Sequence, residues 1–187
     1  PRPALSTHRG ARCFQLLSPE LQSALKALAQ AEGCTLFMVL LTAFNVLMSR
    51  HSGQDDLCVG VPVAGRNQVD TEPLIGMFVS NVVIRTRIAA DATFKELLEQ
   101  VRDTCLAAYA HEDLPFEQLV QVLAPKRDLS RSPLFQVLFN MLSFGAGTFD
   151  DVPDLRIEPV QARDSLAVPS KFDLTLFAKR LTAGFQI

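Results

Sequence analysis

The segment IGMFVSNVVIR, residues 75–85, places two polar side chains at the start of a run rich in β-branched residues. This pattern predicts a β-strand over Asn81 to Arg87. Gly76 indicates a tight approach or an unusual backbone dihedral just before the strand. Ser80 and Asn81 are neighbours, so on a strand they point to opposite faces of the sheet. A polar pair at an apolar strand start needs hydrogen-bonding partners, which makes these two residues the first candidates for a functional role.

The regions on either side of this segment predict helices and further strands. A Ser-Pro-Glu sequence at residues 18–20 is a good helix start. The second predicted helix, Leu36 to about Arg50, is apolar nearly all round, which predicts a central, buried position. The elements predicted in chain order are a helix from Ser18 to Gly33, a helix from Leu36 to about Arg50, strands at Leu57–Val63 and Asn81–Arg87, an amphipathic helix at 93–109, a short helix after Pro115, and strands at Pro133–Met141, Leu155–Val160 and Lys171–Arg180.

This order of elements predicts an α/β fold with a mixed β-sheet flanked by helices. Residues 1–17 are expected to form an extended lead-in, because Pro1, Pro3 and Gly10 oppose regular helix. Residues 143–170 contain three Pro, two Gly and four Asp, and predict a long irregular excursion around one short strand. Loops of that size in a compact domain usually serve a function.

The composition excludes several classes of protein. The 187 residues have a net charge of -2 and 48% hydrophobic side chains, which argues against intrinsic disorder. No block is rich in Lys and Arg, so we expect no nucleic-acid binding. The 13 Phe with no Trp indicate core packing rather than a sugar- or base-stacking platform.

Four scattered cysteines and a featureless N-terminus bear on location and metal binding. No cysteine or histidine pair has metal-ligand spacing, so no metal site is expected. Isolated buried thiols suit a reducing compartment. No signal peptide is recognisable at the N-terminus, and the apolar run at 36–48 is too short to span a bilayer. These features predict a cytoplasmic protein without membrane contact.

Signatures of catalysis are missing from these residues. The three histidines, His8, His51 and His111, are far apart in sequence, and no GxSxG, Walker or GxGxxG motif occurs. The sequence therefore indicates no nucleophile, no metal ligand and no nucleotide site, and we assign no catalytic residue in this chain.

Three segments carry a family resemblance. They are IGMFVSNVVIR at 75–85, HEDLPFE at 111–117 and RDLSRSPLFQ at 127–136. In this order and spacing they resemble the last three core motifs of the condensation domain of nonribosomal peptide synthetases. The sequences RPA at 2–4, GQDD at 53–56, VGVPVAGR at 59–66 and SKFDL at 170–174 are also similar to that family. The resemblance covers essentially the whole chain.

The resemblance implies a fold like chloramphenicol acetyltransferase, built from two similar subdomains that face a central tunnel, with this chain as one chloramphenicol acetyltransferase-like half-domain. It implies that residues 1–17 lead in from a missing N-terminal subdomain, and that 18–187 form the C-terminal subdomain, truncated at its C-terminus. The family's catalytic HHxxxDG motif belongs to the N-terminal subdomain and has no match here. The isolated chain is accordingly expected to be inactive. The excursion at 143–170 is the candidate for a segment that crosses to the other subdomain.

The implied activity is amide bond formation between a donor acyl or peptidyl thioester and an acceptor aminoacyl thioester. Both substrates would be carried on the phosphopantetheine of carrier proteins, and no cofactor would bind the chain directly. The implied partners are the missing subdomain, carrier proteins and a neighbouring adenylation domain, and an uncovered apolar surface predicts a possible homodimer of the fragment. Two alternatives stay open: a truncated stand-alone acyltransferase of the same superfamily, and a degenerate condensation-like module that recruits a partner protein.

The motifs also contain departures from the family pattern. The first motif usually reads FVNT, whereas Ser80 and Asn81 occupy the matching positions, and the sequence leaves open which of them faces the tunnel. In the third motif Ser132 replaces the usual Asn. We expect His111 to be a structural loop residue, Asp113 to cap a helix, Phe116 to anchor in the core, and the charged residues of 127–131 to form a buried ion-pair cluster. The residues assigned to the motifs and to structure are Gly76, Phe78, Arg85, His111, Asp113, Pro115, Phe116, Arg127, Asp128, Arg131 and Pro133.

Overall fold

The structure is a computed structural model that describes residues 2–124, 126, 128–142, 168–181 and 184–187. Four α-helices and eight strands occur in these residues. In chain order they are β1 (Arg9–Gly10), β2 (Leu16–Leu17), α1 (Pro19–Ala31), α2 (Leu36–Ser52), β3 (Asp56–Val63), β4 (Ser80–Arg87), α3 (Phe94–Tyr109), α4 (Phe116–Leu123), β5 (Val137–Leu142), β6 (Val168–Pro169), β7 (Leu174–Leu181) and β8 (Gly184–Gln186).

A six-stranded mixed sheet forms the centre of the fold. Its strand order is β2-β8-β7-β5-β3-β4, and β1 pairs with β6 in a separate two-stranded sheet. The strands β3, β5 and β7 run parallel to one another, while β4, β8 and β2 join antiparallel. The predicted α/β class with a mixed sheet and flanking helices is confirmed.

The helix starts follow from their capping residues. Ser18 Oγ accepts a hydrogen bond from the Leu21 N–H at 3.3 Å, and Thr35 Oγ1 accepts from the Met38 N–H at 3.2 Å. At α3, Thr93 Oγ1 accepts from the Glu96 N–H while the Glu96 carboxylate accepts from the Thr93 N–H at 2.8 Å. Such reciprocal bonds satisfy backbone donors that the first helical turn leaves free. Gly53 then ends α2 in the left-handed conformation with a φ of 69°.

The main core lies between one face of the sheet and helices α2 and α3. The predicted central helix is confirmed, because α2 buries seven residues from Met38 to Asn45. Phe139 of β5 packs between Phe37 and Phe44, with ring centroids 5.4 and 5.6 Å apart. The other buried apolar side chains of this core include Leu41, Val59, Val61, Ile84, Leu98, Val101 and Cys105.

One polar pair lies inside this apolar core. Asn45 Nδ2 donates to Thr86 Oγ1 at 3.0 Å, and both residues are almost fully buried. The Asn45 Oδ1 atom has no hydrogen-bond partner in the described residues. Since an unpaired buried polar group costs free energy, this pair fixes the register of α2 on β4 without adding much stability.

Four short strands were not predicted, and they form the pairs β1–β6 and β2–β8. Leu16 of β2 pairs with Gln186 of β8, and Arg9 of β1 pairs with Pro169 of β6. The expected extended lead-in therefore contains two strands of two residues each. Strands this short show no hydrophobic alternation, so their pairing partners alone define them.

The strand predicted over Pro133 to Met141 was wrong at its start, because β5 begins at Val137. Leu134 has a φ of +64°, a left-handed conformation that interrupts extended backbone. The predicted strand at 155–160 and most of the excursion at 143–170 lie outside the described residues, which resume at Val168.

Two expectations from composition also need correction. Only Cys105 is buried, whereas Cys13 is exposed and Cys34 and Cys58 are half-buried. Phe14 and Phe177 are exposed, so the phenylalanines do not all serve the core. Composition reports how many apolar side chains a chain has, and their burial depends on which element covers them.

No single helix among the described residues is long and apolar enough to cross a membrane. Helices α1 and α2 reach the length and hydropathy of a membrane span only when taken together, and they are bent by 105° at the break between them.

A side chain at position 60 would meet the ring of Phe135. A Cβ built on Gly60 would lie 2.2 Å from Phe135 Cε2. We expect Gly60→Ala to lower the free energy of unfolding by about 1–3 kcal/mol, because the ring must leave its site. Urea denaturation followed by circular dichroism measures this change.

The control is the double variant Gly60→Ala/Phe135→Leu. It should lose less stability than the sum of the two single variants, because the smaller side chain makes room for the added methyl group. Strictly additive losses would contradict the contact.

Candidate functional site

The three motif segments meet around the face of the sheet opposite α2 and α3. We call it the second face, and it carries Gly60, Asn81 and Val83, since their neighbours along β3 and β4 are buried in the main core. The Phe135 ring lies on this face at Gly60 and is 2% exposed. Phe116 packs edge-on against Phe135 with ring centroids 5.5 Å apart. The second motif therefore contacts the third through aromatic rings.

A third aromatic ring extends this cluster toward β7. Phe172 lies 5.3 Å from Phe135 between ring centroids, in a tilted arrangement. The expectation that Phe116 anchors in the core was wrong, because its half-buried ring packs against Phe135 on the second face and not in the main core. Gly60 allows this packing because a strand residue without a side chain leaves the sheet surface open.

Ser80 and Asn81 begin β4 and point to opposite faces. Ser80 pairs with Val63 and lies on the side of the buried Val82, which faces the helices. Asn81 pairs with Pro62 and shares the second face with Val83. Both residues are half-buried, and within the described residues neither side chain has a hydrogen-bond partner. Within the described part of the chain, their polar atoms are therefore available to another group.

The loop 64–79 between β3 and β4 is held by its first residues. Gly65 has a φ of +64°, and a Cβ at this position would lie 2.2 Å from the Phe78 carbonyl oxygen. The Arg66 guanidinium lies 4.2 Å from the centroid of the Phe78 ring. Gly76 has no positive φ, but a Cβ there would lie 3.2 Å from Phe78 Cε2. This contact agrees with the expected tight approach at Gly76, where no positive φ occurs.

The same loop exposes an apolar strip made of Ile75, Met77 and Val79. Ile75 is fully exposed, while Met77 and Val79 keep 93% and 60% of their surface accessible. All three residues belong to one short stretch directly before β4. Contiguous exposed apolar residues on a folded domain mark an interaction site.

The second motif forms the turn between α3 and α4. His111 is exposed, and its backbone is part of the turn, since its N–H donates to the Ala108 carbonyl at 3.1 Å and its carbonyl accepts from the Leu114 N–H at 3.1 Å. The expected cap by Asp113 was wrong, because Pro115 occupies the N-cap position and no side chain caps α4. Asp113 instead accepts a hydrogen bond from Asn67 Nδ2 at 3.3 Å and so joins the turn to loop 64–79.

The third motif forms an exposed polar cluster before β5. Asp128 accepts from the Ser130 N–H at 2.9 Å and from the Ser130 hydroxyl at 2.6 Å, and these bonds hold the pKa of Asp128 below its ordinary value. Arg131 pairs with Asp128 at 3.4 Å. The expectation of a buried cluster was wrong, because Asp128 and Arg131 are about half exposed. Arg127 lies outside the described residues, and Pro133 accepts a turn bond from the Phe135 N–H at 2.8 Å.

Arg2 ties the lead-in to this cluster. Its Nη1 donates to the Ser130 carbonyl at 2.9 Å and to Asp173 Oδ1 at 3.1 Å, and its guanidinium forms an ion pair with Asp173. Sequence patterns did not identify Arg2 or Asp173 as partners. Arg2 and Asp173 each lie in a segment that resembles the family. The sequence identifies these two segments but does not indicate that the two side chains pair.

Arg85 and Arg87 clamp one carboxylate at the other end of β4. Arg85 donates to both oxygens of Asp56, at 2.8 and 2.7 Å, and Arg87 Nε donates to Oδ2 at 3.1 Å. The hydrogen bonds from Arg85, aided by Arg87, lower the pKa of Asp56 from 3.8 to about 2. Arg85 therefore joins β4 to β3 across the strand pair, which is a structural role.

The described residues contain no assembled reaction centre. Their histidines are exposed and lie in the lead-in, at the end of α2 and in the turn after α3, and no group of three or more potential metal ligands occurs in the described part of the chain. An apolar groove of about 380 Å³ is lined by Thr35, Leu36, Phe37, Met38, Tyr109 and Met141, and it contains no motif residue. The motif residues therefore build a surface and not an enclosed site.

Comparison with known proteins assigns the chain to a family. The chain matches the condensation domain family over residues 1–187. It belongs to that family. A linear gramicidin synthase of Brevibacillus parabrevis is 52% identical over 176 residues, which cover 94% of this chain and 3% of that protein. Tyrocidine synthase 3 of the same organism is 41% identical over 189 residues, which cover 99% of this chain and 3% of that protein.

Solved structures agree with this family membership. A four-domain nonribosomal peptide synthetase bound to AMP and glycine has a TM-score of 0.85 and 27% identity, with 100% of this chain and 15% of that chain covered. The X-domain from teicoplanin biosynthesis has a TM-score of 0.84 and 26% identity over 100% of this chain and 42% of that chain. This condensation-domain chain thus spans a small part of its curated relatives and less than half of the X-domain.

The clamp on Asp56 predicts a pH dependence of stability. Because the folded pKa is depressed, the carboxylate stabilises the fold fully above about pH 4 and loses this contribution as the pH falls toward 2. We expect Asp56→Asn to lower the urea midpoint at neutral pH. The difference in urea midpoint between the variant and the wild type should disappear as the pH falls to about 2.

Asp55→Asn is the matched control. The neighbouring carboxylate has no ion pair among the described residues, so this variant should follow the wild-type profile. A gap for Asp56→Asn that stays constant across the acidic range would contradict the role of the clamp.

Proposed function

We propose that this chain is the C-terminal half of a condensation domain that forms amide bonds in nonribosomal peptide biosynthesis. The acceptor amine attacks the donor thioester carbonyl, so that a C–N bond forms and the C–S bond breaks. The proton lost by the amine ends on the sulfur of the released phosphopantetheine thiol. Membership of the family and the 52% identity to a linear gramicidin synthase support this function. We infer a cytoplasmic location and no cofactor held by the chain itself.

The observation that carries the proposal is the joining of all three motifs around the second face next to an exposed apolar strip. The Phe135 cluster and the Asn67–Asp113 bond hold the motif segments to one scaffold. A scaffold of this kind orients substrates and excludes water but moves no proton itself. Holding two tethered reactants together removes translational and rotational entropy from the barrier. The proton-transfer group then comes from the HHxxxDG motif of the N-terminal subdomain.

The N-terminal subdomain is the partner that we assign to the apolar strip. The stretch from Pro73 to Val79 carries no charged side chain, so the surface it offers suits an apolar partner. Carrier proteins and an adenylation domain complete the partners of the parent synthetase. In the absence of the N-terminal subdomain, the same strip is the surface through which two copies of the chain would dimerise.

The chain alone is expected to show no amide formation. With donor and acceptor loaded on carrier proteins, product measured by mass spectrometry should stay at the level of the enzyme-free reaction. The intact condensation domain of the same synthetase is the positive control. Turnover by the chain alone, above the enzyme-free rate, would overturn the assignment of catalysis to the other half.

Only one of Ser80 and Asn81 is expected to serve the tunnel, because they point to opposite faces. In the intact domain, removing a polar group that stabilises developing charge costs about 10²–10³-fold in kcat. We expect one of Ser80→Ala and Asn81→Ala to lower kcat in this way and the other to leave it close to wild type. Thermal unfolding of both variants checks that the fold is retained.

Each variant is the matched control of the other, since they are adjacent on one strand. Full activity in both would remove the pair from the tunnel, and equal losses in both would indicate a shared effect on β4 instead of a contact with substrate.

A second function is favoured by one comparison. A complex of the X-domain and OxyB from teicoplanin biosynthesis contains a chain with a TM-score of 0.84 and 26% identity to this one. A condensation-like fold can therefore recruit another protein. An intact HHxxxDG motif in the parent protein, with turnover, supports the enzyme, whereas an altered motif with retained binding of a partner protein supports the recruiting module.

A further inference from the structure

Asn140 is a polar residue in the middle of an apolar strand. It belongs to β5, whose sequence is VLFNML, and β5 lies inside the sheet with β3 on one side and β7 on the other. Asparagine is disfavoured in strands, and a half-buried amide needs hydrogen-bonding partners. Asn140 is half-buried, and within the described part of the chain its side chain has no such partner. Neither strand propensity nor packing accounts for an amide at this position.

The side chain of Asn140 points to the second face of the sheet. Phe139 lies in the main core, and Val137 and Met141 pack against that core. Neighbours along a strand point to opposite faces, so Asn140 faces away from helices α2 and α3. Leu138 shares this direction, and it is buried outside the main core.

The strand register places Asn140 in one row with Asn81. Gly60 of β3 pairs with Leu138 of the parallel strand β5. Two residues further along both strands, Pro62 therefore lies beside Asn140. On its other side Pro62 pairs with Asn81 of β4. Two amides thus flank one proline, with their backbones two strand spacings apart, or about 10 Å.

This row is bordered by apolar surface. Phe177 of β7 pairs with Asn140 and keeps 49% of its surface accessible. In the adjacent row of the same face, the Phe135 ring covers Gly60. We call the set of Asn81, Pro62, Asn140 and Phe177 the amide row. It combines two amides that lack partners in the described residues with an accessible aromatic ring.

The chemistry of the amide row favours one kind of ligand group. A side-chain amide has a donor and an acceptor side by side, so it complements a secondary amide, whose N–H bonds to Oδ1 and whose carbonyl accepts from Nδ2. None of the four residues of the row is charged, so an ionised group would find no counter-charge among them. The substrates of the proposed function contain secondary amides in the pantetheine arm and in the peptide bonds of the donor.

We propose that Asn140 binds a secondary amide group of a tethered substrate on the second face. The inference rests on the proposed function, because that function supplies the substrate. It adds a substrate-binding residue that lies outside the three motif segments. Binding of an amide at Asn140 fixes the tethered chain relative to Asn81 in the same row, and such orientation lowers the entropy cost of the reaction.

The test measures binding of a substrate analogue to the intact condensation domain. The probe is a dipeptide group joined to pantetheine through a stable thioether, so it contains the two amides of pantetheine and one peptide bond. In three further probes, each of these amides is replaced in turn by an ester, which keeps the shape but lacks the N–H donor. Isothermal titration calorimetry gives the dissociation constant of each probe.

We expect one ester probe to bind the wild-type domain about five- to tenfold more weakly than the parent probe, which is the effect of a single hydrogen bond. Asn140→Leu should weaken binding of the parent probe by a similar factor. The same ester replacement should then have no further effect on the variant, because the Oδ1 acceptor is gone. A sensitive position in the pantetheine identifies the carrier arm as the source of the amide, and a sensitive peptide bond identifies the donor.

Two results would overturn the proposal. One is unchanged binding of the parent probe to Asn140→Leu, and the other is an ester effect of equal size in the variant and the wild type. Asn140→Ser is measured in parallel with the same expectation, so the comparison does not depend on the folding of one variant. Circular dichroism and thermal unfolding establish that the variants are folded.

Gln100→Leu is the matched control. It removes an exposed amide from α3, which packs on the opposite side of the sheet, so this variant should bind all four probes like the wild type. Amide formation by the wild-type domain, with both substrates on carrier proteins, is measured alongside. Absence of turnover would contradict the proposed function, while the probes still report whether Asn140 binds an amide. Turnover without an ester effect that depends on Asn140 would contradict this inference alone.

Discussion

The close packing of the Phe135 ring on Gly60 is the contact on which the arrangement of the motifs depends. A Cβ on Gly60 would lie 2.2 Å from Phe135 Cε2, so the ring can occupy its site only because this position of β3 has no side chain. Phe135 then gives Phe116 and Phe172 a common surface. Through these rings the start of α4, the approach to β5 and the approach to β7 are fixed relative to one another. The outer two segments are separated by more than fifty residues in the chain, and one aromatic cluster holds them together.

This arrangement divides the sheet into two surfaces with different roles. The face toward α2 and α3 is filled by apolar side chains and supplies most of the stability through burial. The second face carries a smaller aromatic cluster and is bordered by polar and exposed groups. The loop 64–79 follows the same logic, with Arg66 and Phe78 turned inward and the apolar strip turned outward.

Local sequence patterns predicted a structural element correctly where that element depends on its own residues. Ser18, Thr35 and Thr93 cap the helices they precede, and the apolar α2 is buried, because capping bonds and helical periodicity are short-range properties. The patterns failed where a distant segment decides the outcome. Leu134 takes a left-handed conformation, Phe135 packs on Gly60, and β5 begins only at Val137, later than the apolar run predicted. Asp113 is a residue type that often caps helices, but its carboxylate accepts a hydrogen bond from Asn67, which lies forty-six residues earlier in the chain.

The sequence by itself determined the helices, the main strands, the mixed α/β class and the three motifs that identify the condensation domain family. These depend on periodicity, capping and residue order, all of which are written along the chain. Only the tertiary structure decided that Ser80 lies on the helix-facing side of the sheet and Asn81 on the second face, that Arg2 pairs with Asp173, and that Arg66 lies over the Phe78 ring. Such contacts join residues through space, and their energies depend on burial and geometry that no local pattern contains.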